Sequence, residues 1–268
     1  MNCKICNNPS DKFLESTIFK EKTKISYYKC SNCGFIQTEE PYWLEKAYSS
    51  AITKSDIGLI ARNIYNSNVL EKLILNLFPN SATYLDYAGG YGMFVRIMRD
   101  KGFDFYWQDD YCENIFVTDF VGDLTKKYDI ITAYEVFEHL PDPNKTIEIL
   151  LSKCNILCFS TEITDNTTDF DNWWYRGEVS GQHISFYSKK TLQFIANKYN
   201  VHYYSFENNS IHVFAKDKIN DISLNEISGI SNQSILNRIL NKFKKNIVST
   251  RESLLSKDYN EIIKKQLL

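Results

Sequence analysis

The sequence predicts an α/β protein: a doubly wound, mostly parallel sheet, preceded by a small cysteine-bearing module and followed by helices. Three observations carry that expectation. Apolar runs of strand length and helix length alternate between residues 84 and 200, the pattern of βα units that cover both faces of a parallel sheet. Two C-x-x-C pairs stand within the first 33 residues. Three of the ten glycines fall between residues 89 and 92, directly after a short apolar run.

At 268 residues the chain is long enough to bury a sizeable core, as one large domain or one domain with small additions. A net charge of −2 gives no general attraction to nucleic acid or acidic lipid. No apolar run approaches the roughly 18–20 residues of a membrane span. The first ten residues, "MNCKICNNPS", lack the charged-then-apolar order of a signal peptide, so a cytoplasmic protein with reduced thiols is expected.

Taken in order, the first element is the cysteine module, residues 1–45. Cys3 and Cys6 ("CKIC") and Cys30 and Cys33 ("CSNC") are joined by a segment containing strand-like "KISYYKC". Two such knuckles can present four thiolates tetrahedrally to zinc, with Gly34 allowing the tight turn. A redox pair, a disulfide or iron is the competing reading. An all-cysteine site has no open coordination position, so the metal would be structural. Cys112, Cys154 and Cys158 read as small buried apolar residues.

Residues 46–216 form the second domain. Ile57, Ile60, Ile64, Leu70, Leu73, Ile74 and Leu77 follow helical spacing up to Pro79. "TYLDY" is a strand, "YGMFVRIMRDKG" a helix stopped at Gly102, and "FDFYWQD" a second strand. "YDIITAYE" is a buried strand, 142–154 a helix and 155–161 a strand. Residues 188–200 form a helix opened by Ser188, followed by a strand pair, "VHYYSF" and "SIHVFAK".

The stretch "YLDYAGGYG" is then the turn from the first strand into its helix, where doubly wound sheets bind ligands. A phosphate loop would need Lys-Ser/Thr after the glycines, and Met93-Phe94 stands there. A dinucleotide fingerprint starting at Gly90 and Gly92 would meet Val95 at its third glycine. S-adenosylmethionine (SAM), a cationic sulfonium without phosphates, wants glycines for close backbone approach and carboxylates for its positive charges. Asp86, Asp109 and Glu135, each at a strand end, supply those carboxylates, with Asp109 placed for the ribose hydroxyls.

These segments resemble class I SAM-dependent methyltransferases. "YLDYAGGYG" is similar to their glycine loop, "DFYWQDDY" to their ribose segment, and "YDIITAYEVFEHLPDP" to their fourth-strand motif. The resemblance covers about residues 56–215 and implies seven strands in the order 3-2-1-4-5-7-6, the last antiparallel. It implies cofactor contacts from Asp86, Ala88, Gly89, Gly90, Tyr91, Gly92, Asp109, Asp110, Tyr134 and Glu135, with Arg62 reaching the methionine carboxylate. Ala88 stands where the family's first glycine usually is, which implies an ordinary backbone conformation there.

The cysteine module, this domain and "GQHISFYSKKTL" together are similar to a narrower bacterial group that modifies sugars or capsule precursors. The implied activity is O-methylation of a sugar, sugar acid or capsule substituent such as a phosphoramidate. A neutral oxygen nucleophile needs a base, and His183, in the long segment 163–187, is the expected one. His139 is the second candidate, with a backbone hydrogen bond that holds the loop as its competing role. His202 and His212 read as ordinary sheet residues. Trp173, Trp174, Tyr175 and Arg176 are candidate acceptor contacts: aromatic faces for a ring, a guanidinium for an anion. The alternative is a loop anchored in the core by two large side chains.

Residues 217–268 are expected to form amphipathic helices, the second opened by a capping box from Ser249 to Glu252. Two other functions compete with a small-molecule enzyme. An RNA methyltransferase would suit a zinc module, but residues 1–40 hold six lysines against five acids, a weak electrostatic footprint for RNA. A SAM-binding regulator without chemistry is the other.

Overall fold

The computed structural model describes residues 1–19, 23–48, 56–220 and 251–266. Six strands form one mixed sheet in the order β5-β4-β6-β7-β10-β9, and four form an antiparallel sheet in the order β1-β2-β3-β8. The chain divides into two compact units: residues 1–56, 124–127 and 131–217, and residues 57–123, 128–130 and 218–268.

The first unit opens with β1 (Ser10–Ile18), β2 (Thr23–Cys30), β3 (Ile36–Thr38) and the short helix α1 (Leu44–Ala47). Strand β1 pairs with β2 from Ser10↔Cys30 to Ile18↔Thr23, with a bulge between Lys12 and Leu14. The fourth strand, β8 (Ser185–Phe186), arrives from far along the chain and pairs Ile36 with Phe186. Ile25, Tyr27, Ile36, Trp43, Trp173, Tyr175, Ile184 and Phe186 fill one apolar cluster beneath this sheet. The first 48 residues thus share a core with the segment that leads to β8.

The same unit holds α4 (Pro143–Lys153), β7 (Cys154–Ser160), α5 (Lys189–Tyr199), β9 (His202–Phe206) and β10 (Ile211–Ala215). Asp142 caps α4 by accepting from the Lys145 N–H at 3.1 Å, with Pro143 at the first helical position. Ser188 caps α5 as expected, within a reciprocal box with Thr191. Strand β10 runs antiparallel to both β7 and β9, the reversal the resemblance implied. Cys154 and Cys158 are buried in β7.

The second unit contains α2 (Leu59–Leu77), β4 (Tyr84–Tyr87), α3 (Met93–Asp100), β5 (Phe105–Gln108) and α6 (Leu255–Gln266); β6 (Tyr128–Ala133) begins in it. Strands β4 and β5 are parallel, Tyr84 opposite Phe105, with the two rings stacked at 4.8 Å. Leu70, Leu73 and Ile74 of α2 are buried as the helical spacing predicts, with Val69 beside them, but Ile57, Ile60 and Ile64 are exposed. The apolar stripe faces the core only over the second half of the helix.

The seven strands expected are six among the described residues. At the seventh position, beyond β5, a single parallel bridge joins Trp107 to Val121. Trp107 N–H donates to Phe120 O and Gly122 N–H to Trp107 O, and the pairing stops there.

Helix α6 docks onto α3 through a buried ion pair. Arg99, 1% exposed, donates from Nε and Nη2 to the two oxygens of Asp258, both at 2.8 Å. Arg96 Nη1 lies 3.0 Å from the same carboxylate, and the Arg99 guanidinium sits 3.6 Å over the Phe120 ring. The helix starts at Leu255; Glu252 lies outside it, so the expected opening near residue 250 is not where the helix begins. Ser249 and the amphipathic stretch 232–247 lie outside the described residues.

Burial works against the charge on Asp258, and the hydrogen bonds and charges of Arg99 and Arg96 outweigh it, so the carboxyl is held below its usual range. A carboxyl lowered on folding stabilises above its unfolded pKa, and that contribution is lost as pH falls through the folded value. Asp258→Asn should cost about 1–3 kcal/mol, because Arg99 loses its bidentate partner and keeps only the more exposed Asp104 as a counter-charge. Denaturant unfolding at pH 7 and at about pH 2.5 checks this: the gap between parent and variant should persist down to about pH 4 and narrow below it, as the carboxyl takes up its proton.

Candidate active site

In the second unit the glycine turn is built around two carboxylates. Asp86 ends β4 with its side chain buried, and a Cβ on Gly89 would stand 2.8 Å from its Oδ2 and 2.7 Å from Trp107 Cδ1. Only glycine fits there. Gly92, at φ +85°, caps α3, and a Cβ on it would meet Val117 Cγ2 at 2.6 Å. Trp107 Nε1–H donates to Gly90 O at 2.8 Å, and Tyr91 O accepts from Ile115 and Phe116 N–H, so the loop after β5 supports the turn.

Ala88 departs from expectation. Its φ is +55°, in the left-handed region that disfavours a Cβ by roughly 1–2 kcal/mol. The alanine is held in the conformation a glycine would take; the ordinary backbone inferred from its identity is incorrect.

Asp109 Oδ2 accepts from Gly90 N–H at 2.9 Å, and Oδ1 from Tyr111 and Cys112 N–H at 2.8 and 2.9 Å. Three of about four acceptor positions are thus engaged by backbone, and both ribose hydroxyls fit only if the Gly90 N–H turns to the ligand. Asp110 accepts from Gln108 Nε2 at 2.9 Å, and Arg62 is half-buried on α2. Glycines with no room for a side chain and acids at strand ends suit a cationic, phosphate-free ligand such as SAM.

In the first unit, Glu135 follows β6 with φ +55°, a strained value for a non-glycine residue. Its N–H donates to Ser160 Oγ at 2.8 Å, and that hydroxyl donates back to Glu135 Oε1 at 2.7 Å. Tyr134 OH lies 3.3 Å from Cys158 Sγ.

The 3₁₀ turn Phe137–His139 then brings Glu138 and His139 beside His183. The ligand-capable atoms of these three side chains lie within 4.8 Å of one another, and the two imidazole centroids are 4.8 Å apart. His139 Nδ1–H donates to Gln182 O at 3.1 Å, the loop-holding bond set against a catalytic role. His183 Nδ1–H donates to Tyr175 O. A carbonyl can only accept, so both neutral rings keep their lone pair on Nε2. His212 is buried between Thr161 O and the hydroxyls of Tyr203 and Ser205, and burial lowers its pKa to about 4. It is a sheet residue, as expected.

Glu138 was missed by sequence reasoning. It is 0% exposed, and neither carboxylate oxygen has a hydrogen-bond partner among the described residues. Burial, then the charge of Glu135, push its pKa up to about 7, with His183 acting the other way. An acid beside a histidine reads as a surface residue; only its burial marks it out.

The aromatic segment divides. Trp173 and Tyr175 belong to the apolar cluster, while Trp174 is 76% exposed. Arg176 is buried over the Tyr27 ring, with Glu178 and Asp171 as ion-pair partners. This placement matches the loop anchored by two large side chains and leaves Trp174 facing solvent.

The four N-terminal cysteines converge. Cys3 and Cys33 Sγ are 3.5 Å apart, Cys6 and Cys30 Sγ 3.4 Å, and all four lie within 4.8 Å. Sulfurs about 2.3 Å from a central ion form a tetrahedron with edges of about 3.8 Å, close to this spacing. The hydrogen bond from Cys33 draws the Cys3 thiol down to about 5 against its burial, and the Ile5 N–H donates to the same sulfur at 3.4 Å. Gly34 takes φ +81° after the second knuckle, as expected. Asn144 of α4 donates to Lys4 and Ile5 carbonyls, and Thr191 of α5 to Cys33 O, tying both knuckles to helices of the unit.

Fold and site define a SAM-dependent methyltransferase. A family model described as a methyltransferase domain matches residues 62–205, more than half of the chain, and the chain belongs to that family. Similar solved structures include magnesium protoporphyrin IX methyltransferase (ChlM) from Synechocystis PCC 6803 with bound S-adenosylhomocysteine (SAH). It is 13% identical with a TM-score of 0.43, over 64% of this chain and 90% of that one. An O-methyltransferase family protein from Burkholderia thailandensis is 10% identical with a TM-score of 0.48, over 67% and 64%. The plantazolicin methyltransferase BpumL in complex with SAH is 14% identical with a TM-score of 0.45, over 78% and 91%. No curated protein matches the chain. Among the described residues no helix is long and apolar enough to cross a membrane.

Gly89→Ala forces its methyl group against Trp107 and Asp86, and should weaken SAM binding at least ten-fold by calorimetry while the thermal transition is kept. Unchanged affinity would show that the turn tolerates a side chain and would remove its role in cofactor binding.

Proposed function

We propose that this enzyme methylates an oxygen of a small acceptor: a sugar, a sugar acid or a capsule substituent such as a phosphoramidate. The observation that carries the reading is the cluster of Glu138, His139 and His183, two oriented imidazoles beside a buried carboxylate in one unit. Support for the acceptor class comes from the sequence resemblance of the cysteine module and "GQHISFYSKKTL" to sugar and capsule-precursor enzymes. Seven cysteines outside disulfides suit a cytoplasmic setting, where thiols stay reduced.

When bound, SAM supplies an electrophilic methyl group on a sulfonium. Asp86, Asp109 and the glycine turn would hold the cofactor, and Glu135 is a further candidate contact by the sequence resemblance. His183 promotes loss of the acceptor's proton, its ring held by the Tyr175 carbonyl so that Nε2 is the basic atom. Trp174 offers an exposed aromatic face for a ring-shaped acceptor.

Cys3, Cys6, Cys30 and Cys33 hold one structural zinc in this reading, with no chemistry of its own. Cys30→Ser should lower zinc content below one per chain and expose the N-terminal sheet to protease. A variant that keeps zinc by elemental analysis, or resists protease like the parent, speaks against the assignment.

His183→Ala should lower turnover by roughly 10²-fold and leave SAM affinity within about two-fold. Turnover measured by SAH release, beside calorimetry, checks both halves. Parental kcat and KM in the variant would return His183 to the scaffold. A raised KM with kcat kept would make it an acceptor-positioning residue.

A further inference from the structure

We infer that Glu138, His139 and His183 form a binding site for one divalent transition-metal ion. The inference rests on the functional reading above only for what the ion does, not for whether it binds.

Three observations independent of that reading converge. Each of the three residues offers one ligand atom, and these atoms lie within 4.8 Å of one another. An ion about 2.1 Å from each needs them roughly 3–4 Å apart, a closing movement on the order of 1 Å. Second, each histidine already donates Nδ1–H to a backbone carbonyl, His139 to Gln182 O and His183 to Tyr175 O. A carbonyl on the far nitrogen is the usual partner of a metal-bound imidazole, because it orients the ring and leaves the Nε2 lone pair for the ion. Third, the Glu138 carboxylate is fully buried, neither oxygen makes a well-formed hydrogen bond among the described residues, and the Tyr175 hydroxyl stands close to it. A buried carboxylate so weakly partnered is costly, and a cation held against it removes that cost.

Two imidazoles and a carboxylate suit manganese, iron, cobalt or zinc better than magnesium or calcium, which prefer all-oxygen shells. His139 and His183 are only half-buried, so coordination positions can remain for water or an acceptor oxygen. No oxidant or reductant is involved. An acceptor hydroxyl or acidic oxygen bound to the ion becomes more acidic and loses its proton to a water molecule. That oxygen then bonds to the methyl carbon as the carbon–sulfur bond breaks. In this form His183 promotes the proton's loss as a ligand rather than by receiving it. Glu135, whose charge adds to that of Glu138, faces the same cluster and increases its attraction for a cation.

The test uses the full chain, dialysed against EDTA and given one equivalent of zinc for the thiolate cluster. Mn²⁺ is titrated and followed by loss of the free-ion electron paramagnetic resonance signal, without any turnover. One Mn²⁺ per chain is expected. Glu138→Gln and His183→Gln should each weaken binding at least ten-fold, with circular dichroism confirming the fold. Two variants are used so that misfolding of one leaves the other to decide. No stoichiometric binding of Mn²⁺ or Co²⁺ by the parent, or parental binding by either folded variant, overturns the site. If His183→Ala slows turnover while the parent binds no ion, the methyl-transfer reading stands and the metal site falls. If the ion binds and no sugar or phosphoramidate is methylated, the site stands and the acceptor reading falls.

Discussion

The candidate chemistry of the first unit depends on the clamping of residues 184–186. On one side, Ile36 pairs with Phe186 and the Thr38 N–H donates to Ile184 O at 3.1 Å. On the other, Ile184 N–H donates to Glu138 O at 2.9 Å and Ser185 Oγ to Leu140 O at 2.9 Å. The chain just after His183 is thereby hydrogen-bonded to the N-terminal sheet and to the turn that bears Glu138 and His139. Phe186 and Ile184 bury their side chains in the cluster that also takes Trp43, Trp173 and Tyr175. The N-terminal residues consequently do more than carry cysteines: their third strand sets where His183 lies. Two helices of the unit in turn hold the knuckles through Asn144 and Thr191.

Two buried carboxylates in the chain show the same physics with opposite outcomes. Asp258 meets a bidentate guanidinium, with a second arginine 3.0 Å away, and its carboxyl is held below its usual range. Its burial is matched, and it joins α6 to α3. Glu138 is buried as deeply and has Glu135 and two histidines for neighbours instead. A group so arranged is costly to the fold, and such costs concentrate where a protein handles ligands or protons.

Left-handed backbone marks two strand ends. Ala88 and Glu135 both sit at φ +55°, each just past the carboxyl end of a strand of the mixed sheet. In doubly wound sheets ligands are met at the carboxyl ends of the strands. The left-handed conformation turns the chain sharply there, and in each case hydrogen bonds close by hold it: Gly90 to Asp109 after β4, and Glu135 to Ser160 after β6.

By itself the sequence determined the alternation of strands and helices, the glycine turn with its acids, the capped start of α5 and the pairing of four cysteines. Each is a local signal: periodicity, a capping residue, a glycine where a side chain has no room, a fixed spacing between thiols. Tertiary structure alone decided the rest. That Glu138 is buried, that Trp173 and Tyr175 are core while Trp174 is not, and that Arg176 is occupied by Glu178 and Asp171 all depend on contacts far apart in sequence. So does the reduction of the seventh strand to one bridge at Val121, and the pairing of Asp258 with Arg99 across 159 residues. Local propensity cannot encode which neighbours a side chain meets after the chain folds back, and it is those neighbours that set its burial, its charge and its chemistry.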